Sequence, residues 1–216
     1  MNKHASTNEQ TNNVEPRLHL MIDEADEIKN ETVNWLWKGR LQAGATNLIF
    51  GKSGIGKSFL ACTIAAIVSN GGQWPFNEGY CQQGQVMFLE SWNEPLRMFT
   101  APRLREAGAN LKNIVFIKGV ITDPLRDRTG ERVKLTKENA ALLKDEINRL
   151  YNEVPVPVRL VIIDPLSCFL DSGMDQNDPV SFSEVLQPFE EVAHDTGVAI
   201  VIVDFFDVST TLPHVK

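Results

Sequence analysis

No stretch of this sequence approaches the ~18 consecutive apolar residues of a membrane-spanning helix, so nothing in it is expected to cross a membrane. The first residues, Met1 to about Val14, are rich in Asn, Thr, Gln and Glu and hold no apolar core of the kind a secretory signal needs. Cysteine is scarce: Cys62, Cys81 and Cys168 make an odd number without C-x-x-C spacing. That argues against a disulfide framework and a zinc site, and predicts reduced, mostly core thiols. Positive charge is in deficit, 21 Lys and Arg against 28 Asp and Glu for a net charge of −7. That balance argues against a protein whose whole surface grips DNA or an anionic membrane, although not against a local basic loop. A cytoplasmic location is the expectation.

With 216 residues and 43% apolar content, the chain can build one α/β domain with a real core and is too short for two full ones. Residues 1–16 read as a tail with too little apolar content to bury, and 17–216 as the domain, with ordering from about Arg17-Leu18-His19-Leu20. The acidic run Asp23 to Glu27 reads as a solvated helix end or loop rather than a binding segment.

The domain is organised around Gly51-Lys52-Ser53-Gly54-Ile55-Gly56-Lys57-Ser58, between the apolar run Asn47 to Phe50 and the helical pattern from Phe59. This is a complete Walker A loop in its required setting, a strand before and a helix after. Gly51, Gly54 and Gly56 permit the tight turns that make successive N–H groups converge on a point at the positive end of a helix. Lys57 adds a mobile positive charge for phosphate, and the Ser58 hydroxyl suits one coordination position of Mg²⁺. Gly51, Ser53, Gly54, Ile55, Gly56, Lys57, Ser58 and Phe59 are the candidate residues for binding ATP.

The rest reads as strands alternating with helices. Strands are expected at Gln85 to Glu90, Ile114 to Ile117, Arg159 to Ile163 and Val198 to Val203. Helices are expected from the loop to Asn70-Gly71-Gly72, from Pro95 to Ala107, from Thr136 to Glu153 and from Phe182 to Thr196. This alternation predicts a three-layer α/β fold with a mainly parallel sheet of about five strands and helices on both faces. Asp164, delivered at the end of a continuous apolar strand, is a Walker B pattern and the second candidate Mg²⁺ ligand beside Ser58. Trp35 and Trp37 offer ring faces that could stack a base, but packing as apolar anchors at the sheet edge is the favoured reading. The mixed-charge segment from Thr122 to Lys134 reads as a solvated loop.

Val33 to Leu41, the Walker A loop, Gly71 to Pro75, Arg103 to Ala109 and Ile163 to Ser167 together resemble RecA-fold AAA-type ATPases of the RepA-like hexameric helicase branch. The resemblance covers about Val33 to Val203. It implies a RecA-like P-loop core, ATP and Mg²⁺ at a subunit interface, a homo-oligomeric ring, and work on single-stranded DNA in replication or mobile-element maintenance. The family's water-orienting Glu falls at Trp92, with Glu90 and Glu94 two residues to either side, so Glu90 is taken as the catalytic candidate with Lys57. A positioned base is worth typically ~10²–10⁴ in rate. The family's His and Lys after the last core strand correspond to Asp204-Phe205-Phe206-Asp207-Val208, and its later strands are missing, as in a truncated or diverged copy. Carboxylates there oppose an anionic transition state, which predicts weak or absent hydrolysis. Two other readings are therefore carried: a nucleotide-binding protein that does not hydrolyse, and a small-molecule P-loop kinase with Arg126 to Arg132 as its lid.

Overall fold

The structure, a computed structural model, describes residues 21–22, 24–25, 32–89, 98–121, 130–170, 174 and 178–205. The chain divides into Met1–Thr32 and Val33–Lys216, and every element below belongs to the second unit. The expected tail and the start of ordering at residues 17–20 lie outside the described residues, as does most of the acidic run.

Among the described residues the main sheet has five strands: β3 (Thr46–Gly51), β4 (Gln85–Leu89), β5 (Ile114–Ile117), β6 (Val158–Ile163) and β7 (Ala199–Phe205). All are parallel, in the order β3-β7-β6-β4-β5. Parallel strands need crossovers, and here helices supply them. The runs Val86 to Leu89, Leu160 to Ile163 and Ala199 to Val203 are buried throughout because both faces of the sheet are covered.

Side chains alternate between two cores. Met87, Leu89, Val161, Ile163, Ile200 and Ile202 pack with α3 (Lys137–Glu153) and α4 (Pro179–Thr196). Val86, Phe88, Leu160, Ile162, Val201 and Val203 pack with α1 (Lys57–Asn70) and with Leu104 of α2 (Thr100–Glu106). The period of two along each strand thus becomes two helical layers, the expected three-layer α/β fold.

Local signals set the helix ends. Gly71 closes α1 with φ 68°, and Thr136 starts α3 by accepting the Asn139 N–H. Ser69 is fully buried in the last turn of α1, where its hydroxyl donates to the Ala66 carbonyl and accepts the Asn110 N–H, tying α1 to the segment after α2. Two expectations shift. Helix α4 begins at Pro179, three residues early, because Asp178 accepts the N–H groups of Val180 and Ser181 and proline suits a first helical position. Strand β7 runs two residues past Val203, pairing as far as Gly51 with Phe205. The first part of the expected Pro95 helix and residues 122–129 of the charged loop lie outside the described residues.

Ahead of the sheet, β1 (Trp35–Trp37) and β2 (Leu41–Gln42) form a two-stranded antiparallel hairpin that short-range pattern did not reveal. Trp37 is buried as an apolar anchor, whereas Trp35 remains largely exposed. Cys62 and Cys81 are buried and Cys168 is partly buried, all three as free thiols. Burial pushes the Cys81 thiol up to about 11, against the opposing pull of Arg159, so it stays protonated and packs as a small apolar group.

Candidate functional site

The site is built where strands end. Strand β3 stops at Gly51 and the chain turns through the loop into α1, with Gly54 at φ 79° and Gly56 at φ 96°. A Cβ at either glycine would meet nothing within 4 Å, so it is the backbone angle and not crowding that asks for glycine there. Gly56 is the residue before the first turn of α1, which leaves the N–H groups of that turn facing the loop.

A cavity of about 460 Å³ opens over this turn. The loop and the start of α1 supply Ser53, Gly54, Gly56, Lys57, Ser58 and Phe59 to its wall. Asp164, at the end of β6, lines the same cavity, so both candidate Mg²⁺ ligands face one space. The predicted residues Gly51 and Ile55 stand outside the wall. Gly51 ends the strand, and its carbonyl accepts from Lys57 Nζ at 2.9 Å. Ile55 is 64% exposed and folds its side chain back on Gly51, where an added Cβ would come within 2.5 Å of Ile55 Cδ1. Glu90, Trp92, Glu94 and Asp207 lie outside the described residues.

Lys57 Nζ also donates to the Lys52 carbonyl at 2.8 Å. Its ammonium is thus held across the loop by two backbone oxygens, poised over the turn it would serve.

Several wall residues were not among the predicted nucleotide ligands. Arg103 of α2 faces the cavity, its guanidinium 5.9 Å from the Phe59 ring centroid and 5.8 Å from that of Phe99. Pro165, Val203 and Phe205 complete the wall with Asp204. Nothing in local spacing points to Arg103 or Phe205. Asp204 carried the same signal as Asp164, a carboxylate ending an apolar strand.

Asp204 is 6% exposed, and its Oδ1 accepts the Phe205 N–H at 2.9 Å. Burial raises its carboxyl above the ordinary carboxylate range, while that hydrogen bond and the charge of Lys57 pull it back.

The donor set fits Mg²⁺. Ser58 and Asp164 offer hard oxygen donors, and Mg²⁺ usually takes only one or two carboxylates and leaves its other positions to phosphate and water. Among the described residues no cluster of three or more His, Cys, Asp or Glu forms an all-protein cage. The glycine-permitted turn, the helix N-terminus and Lys57 together suit a phosphate group. Among the described residues no helix is long and apolar enough to cross a membrane.

A comparison with curated proteins returns no match. A protein-family model described as an AAA domain matches residues 11–207, which takes in the five described strands of the sheet, the loop, Asp164 and Asp204. On that match, together with the five-stranded parallel sheet and its glycine turn, the chain belongs to the AAA domain family of P-loop ATPases.

Proposed function

We propose that this chain is an ATP-binding, RecA-like ATPase of the RepA-like helicase type, acting in DNA replication or mobile-element maintenance. The observation that carries the nucleotide part is the meeting of Lys57, Ser58 and Asp164 on one cavity wall, although more than 100 residues separate the loop from Asp164. In this reading the loop glycines and Ser53 present N–H groups to the phosphates. Lys57 neutralises the terminal phosphates, and Ser58 and Asp164 hold Mg²⁺, which offsets phosphate charge when bound. Glu90 orients the attacking water. A homo-oligomeric ring and single-stranded DNA as partner belong to the same proposal and rest on the resemblance of the sequence motifs.

A second reading is favoured by one observation, the buried carboxylate of Asp204 in the same cavity as Lys57. Negative charge there works against the anionic transition state of phosphoryl transfer. The chain would then bind nucleotide without turning it over.

One experiment separates the two. ATP binding and Mg²⁺-dependent turnover are measured on wild type and Lys57→Ala, with and without single-stranded DNA. Lys57-dependent turnover stimulated by DNA supports the motor. Lys57-dependent binding without turnover supports the binding module, and binding indifferent to Lys57 overturns both.

A further inference from the structure

Asp204 is placed by sheet pairing, not by the loop. It is the register partner of Phe50, and the next pair along the two strands is Gly51 with Phe205. Gly51 is the residue whose carbonyl holds Lys57 Nζ. The C-terminal end of β7 therefore brings a carboxylate alongside the point from which the phosphate loop springs, and the charges of Asp204 and Lys57 act on one another.

The local fold does not require that charge. Among the described residues its side chain accepts one hydrogen bond, from the N–H of Phe205 onto Oδ1, which an asparagine carbonyl oxygen would accept equally well. A carboxylate 6% exposed in a cavity shaped for an anion carries a desolvation cost, and an amide of the same shape avoids it. What the carboxylate adds over the amide is negative charge in the cavity that Lys57 also lines.

The consequence depends on how many phosphates the ligand carries. The first phosphates can be held by N–H groups of the loop and of the first turn of α1, which Asp204 leaves untouched. A further terminal phosphate depends more on Lys57, whose ammonium is already shared by the carbonyls of Gly51 and Lys52. It also adds negative charge to a wall that contains Asp164 and Asp204, with Lys57 and Arg103 as its cations.

We infer that Asp204 is a specificity-determining residue: it competes with a terminal phosphate for Lys57 and biases the cavity toward nucleoside diphosphates over triphosphates. This rests on the nucleotide reading above. It goes beyond that reading by making phosphate number, and not only occupancy, a property of this site.

The test is calorimetric titration of Mg·ADP and Mg·ATP into the full chain, as wild type, Asp204→Asn and Asp204→Ser. The wild type is expected to bind ADP more tightly than ATP. Both variants are expected to tighten ATP by about tenfold or more, the scale of one removed like charge at partly buried range, and to change ADP by clearly less. An ATP to ADP affinity ratio that is the same in wild type and both variants overturns the inference while leaving nucleotide binding intact. Failure of wild type and variants to bind either nucleotide overturns the nucleotide reading itself, an outcome distinct from an unshifted ratio.

Discussion

Trp37 and Trp74 lie face to face, ring centroids 4.6 Å apart and planes within 3°, although the whole phosphate loop and α1 separate them in the chain. The Trp37 indole N–H donates to Glu78 at 2.6 Å, and Glu78 also takes two N–H groups of Arg40, at 2.6 and 2.7 Å. The Arg40 guanidinium sits 5.0 Å from the Trp37 ring. Arg40 holds the Glu78 carboxyl below the ordinary carboxylate range, with the Trp37 N–H adding to the effect. The hairpin before the loop and the segment after α1 are thus closed onto each other, which anchors both ends of the loop–helix unit that carries the site.

Replacing either tryptophan should therefore cost stability. Trp37→Ala and Trp74→Ala are each expected to lose about 3–5 kcal/mol, the usual scale for an aromatic removed from a packed core. The double variant should fall short of the sum by about 0.5–1.5 kcal/mol, because the stacked pair is already lost in each single variant. Urea unfolding midpoints measure both, and strict additivity would show that the stacking contributes nothing beyond burial.

Lys57→Ala removes the one ammonium that spans the loop. A charge-assisted contact to phosphate is worth about 1.5–3 kcal/mol, so ATP affinity should fall by about 10–150-fold, with little change in melting temperature because one of its two backbone contacts is solvent-exposed. In Asp164→Asn the gain in ATP affinity on adding Mg²⁺ should shrink while metal-free binding persists. Titrations with and without the metal read this directly, and an undiminished Mg²⁺ effect would take Asp164 out of the metal's coordination.

Gly71→Ala should be more damaging than Gly39→Ala. Both glycines have positive φ, 68° and 71°, so each variant carries a left-handed penalty of about 1–2 kcal/mol. A Cβ at Gly71 would also stand 3.0 Å from the Gln83 backbone nitrogen, whereas one at Gly39 meets nothing within 4 Å. Thermal melts of the two variants give the comparison; equal losses would mean that the segment around Gln83 yields without cost.

The cap of α4 should show a pH signature. Hydrogen bonds from the Ser181 hydroxyl, the Ser181 N–H and the Val180 N–H hold the Asp178 carboxyl below its ordinary value of 3.8. A depressed folded value stabilises the ionised form, so the benefit is present above pH 3.8 and is lost as pH falls through the lower folded value. Asp178→Ala should melt earlier than wild type at neutral pH, and the gap should narrow below pH 3.8. A gap that stays constant with pH would mean that the carboxylate charge takes no part in the cap.

Much of this architecture was legible because its causes are local. The glycines of the loop, the Gly71 helix stop and the Thr136 cap act within a turn of their own residues, and the apolar strands announce themselves as continuous runs. The three-residue β1 was not legible, since a strand that short carries no pattern distinct from a pair of bulky anchors. The early start of α4 was missed for a related reason: Asp178-Pro179 looks like loop punctuation until the two N–H groups that Asp178 accepts are known.

The site divides along the same line. That Lys57 and Ser58 follow a glycine turn, and that Asp164 and Asp204 each follow a continuous apolar run, was determined by the sequence alone, because each depends on a run of a few neighbouring residues. That Asp164, Asp204 and Arg103 share one cavity with the loop was decided only by the tertiary structure. Strand order is a matter of packing between distant segments: β7, the last strand among the described residues, lies between β3 and β6. That position sets Asp204 at the root of the phosphate loop, and no spacing along the chain records it.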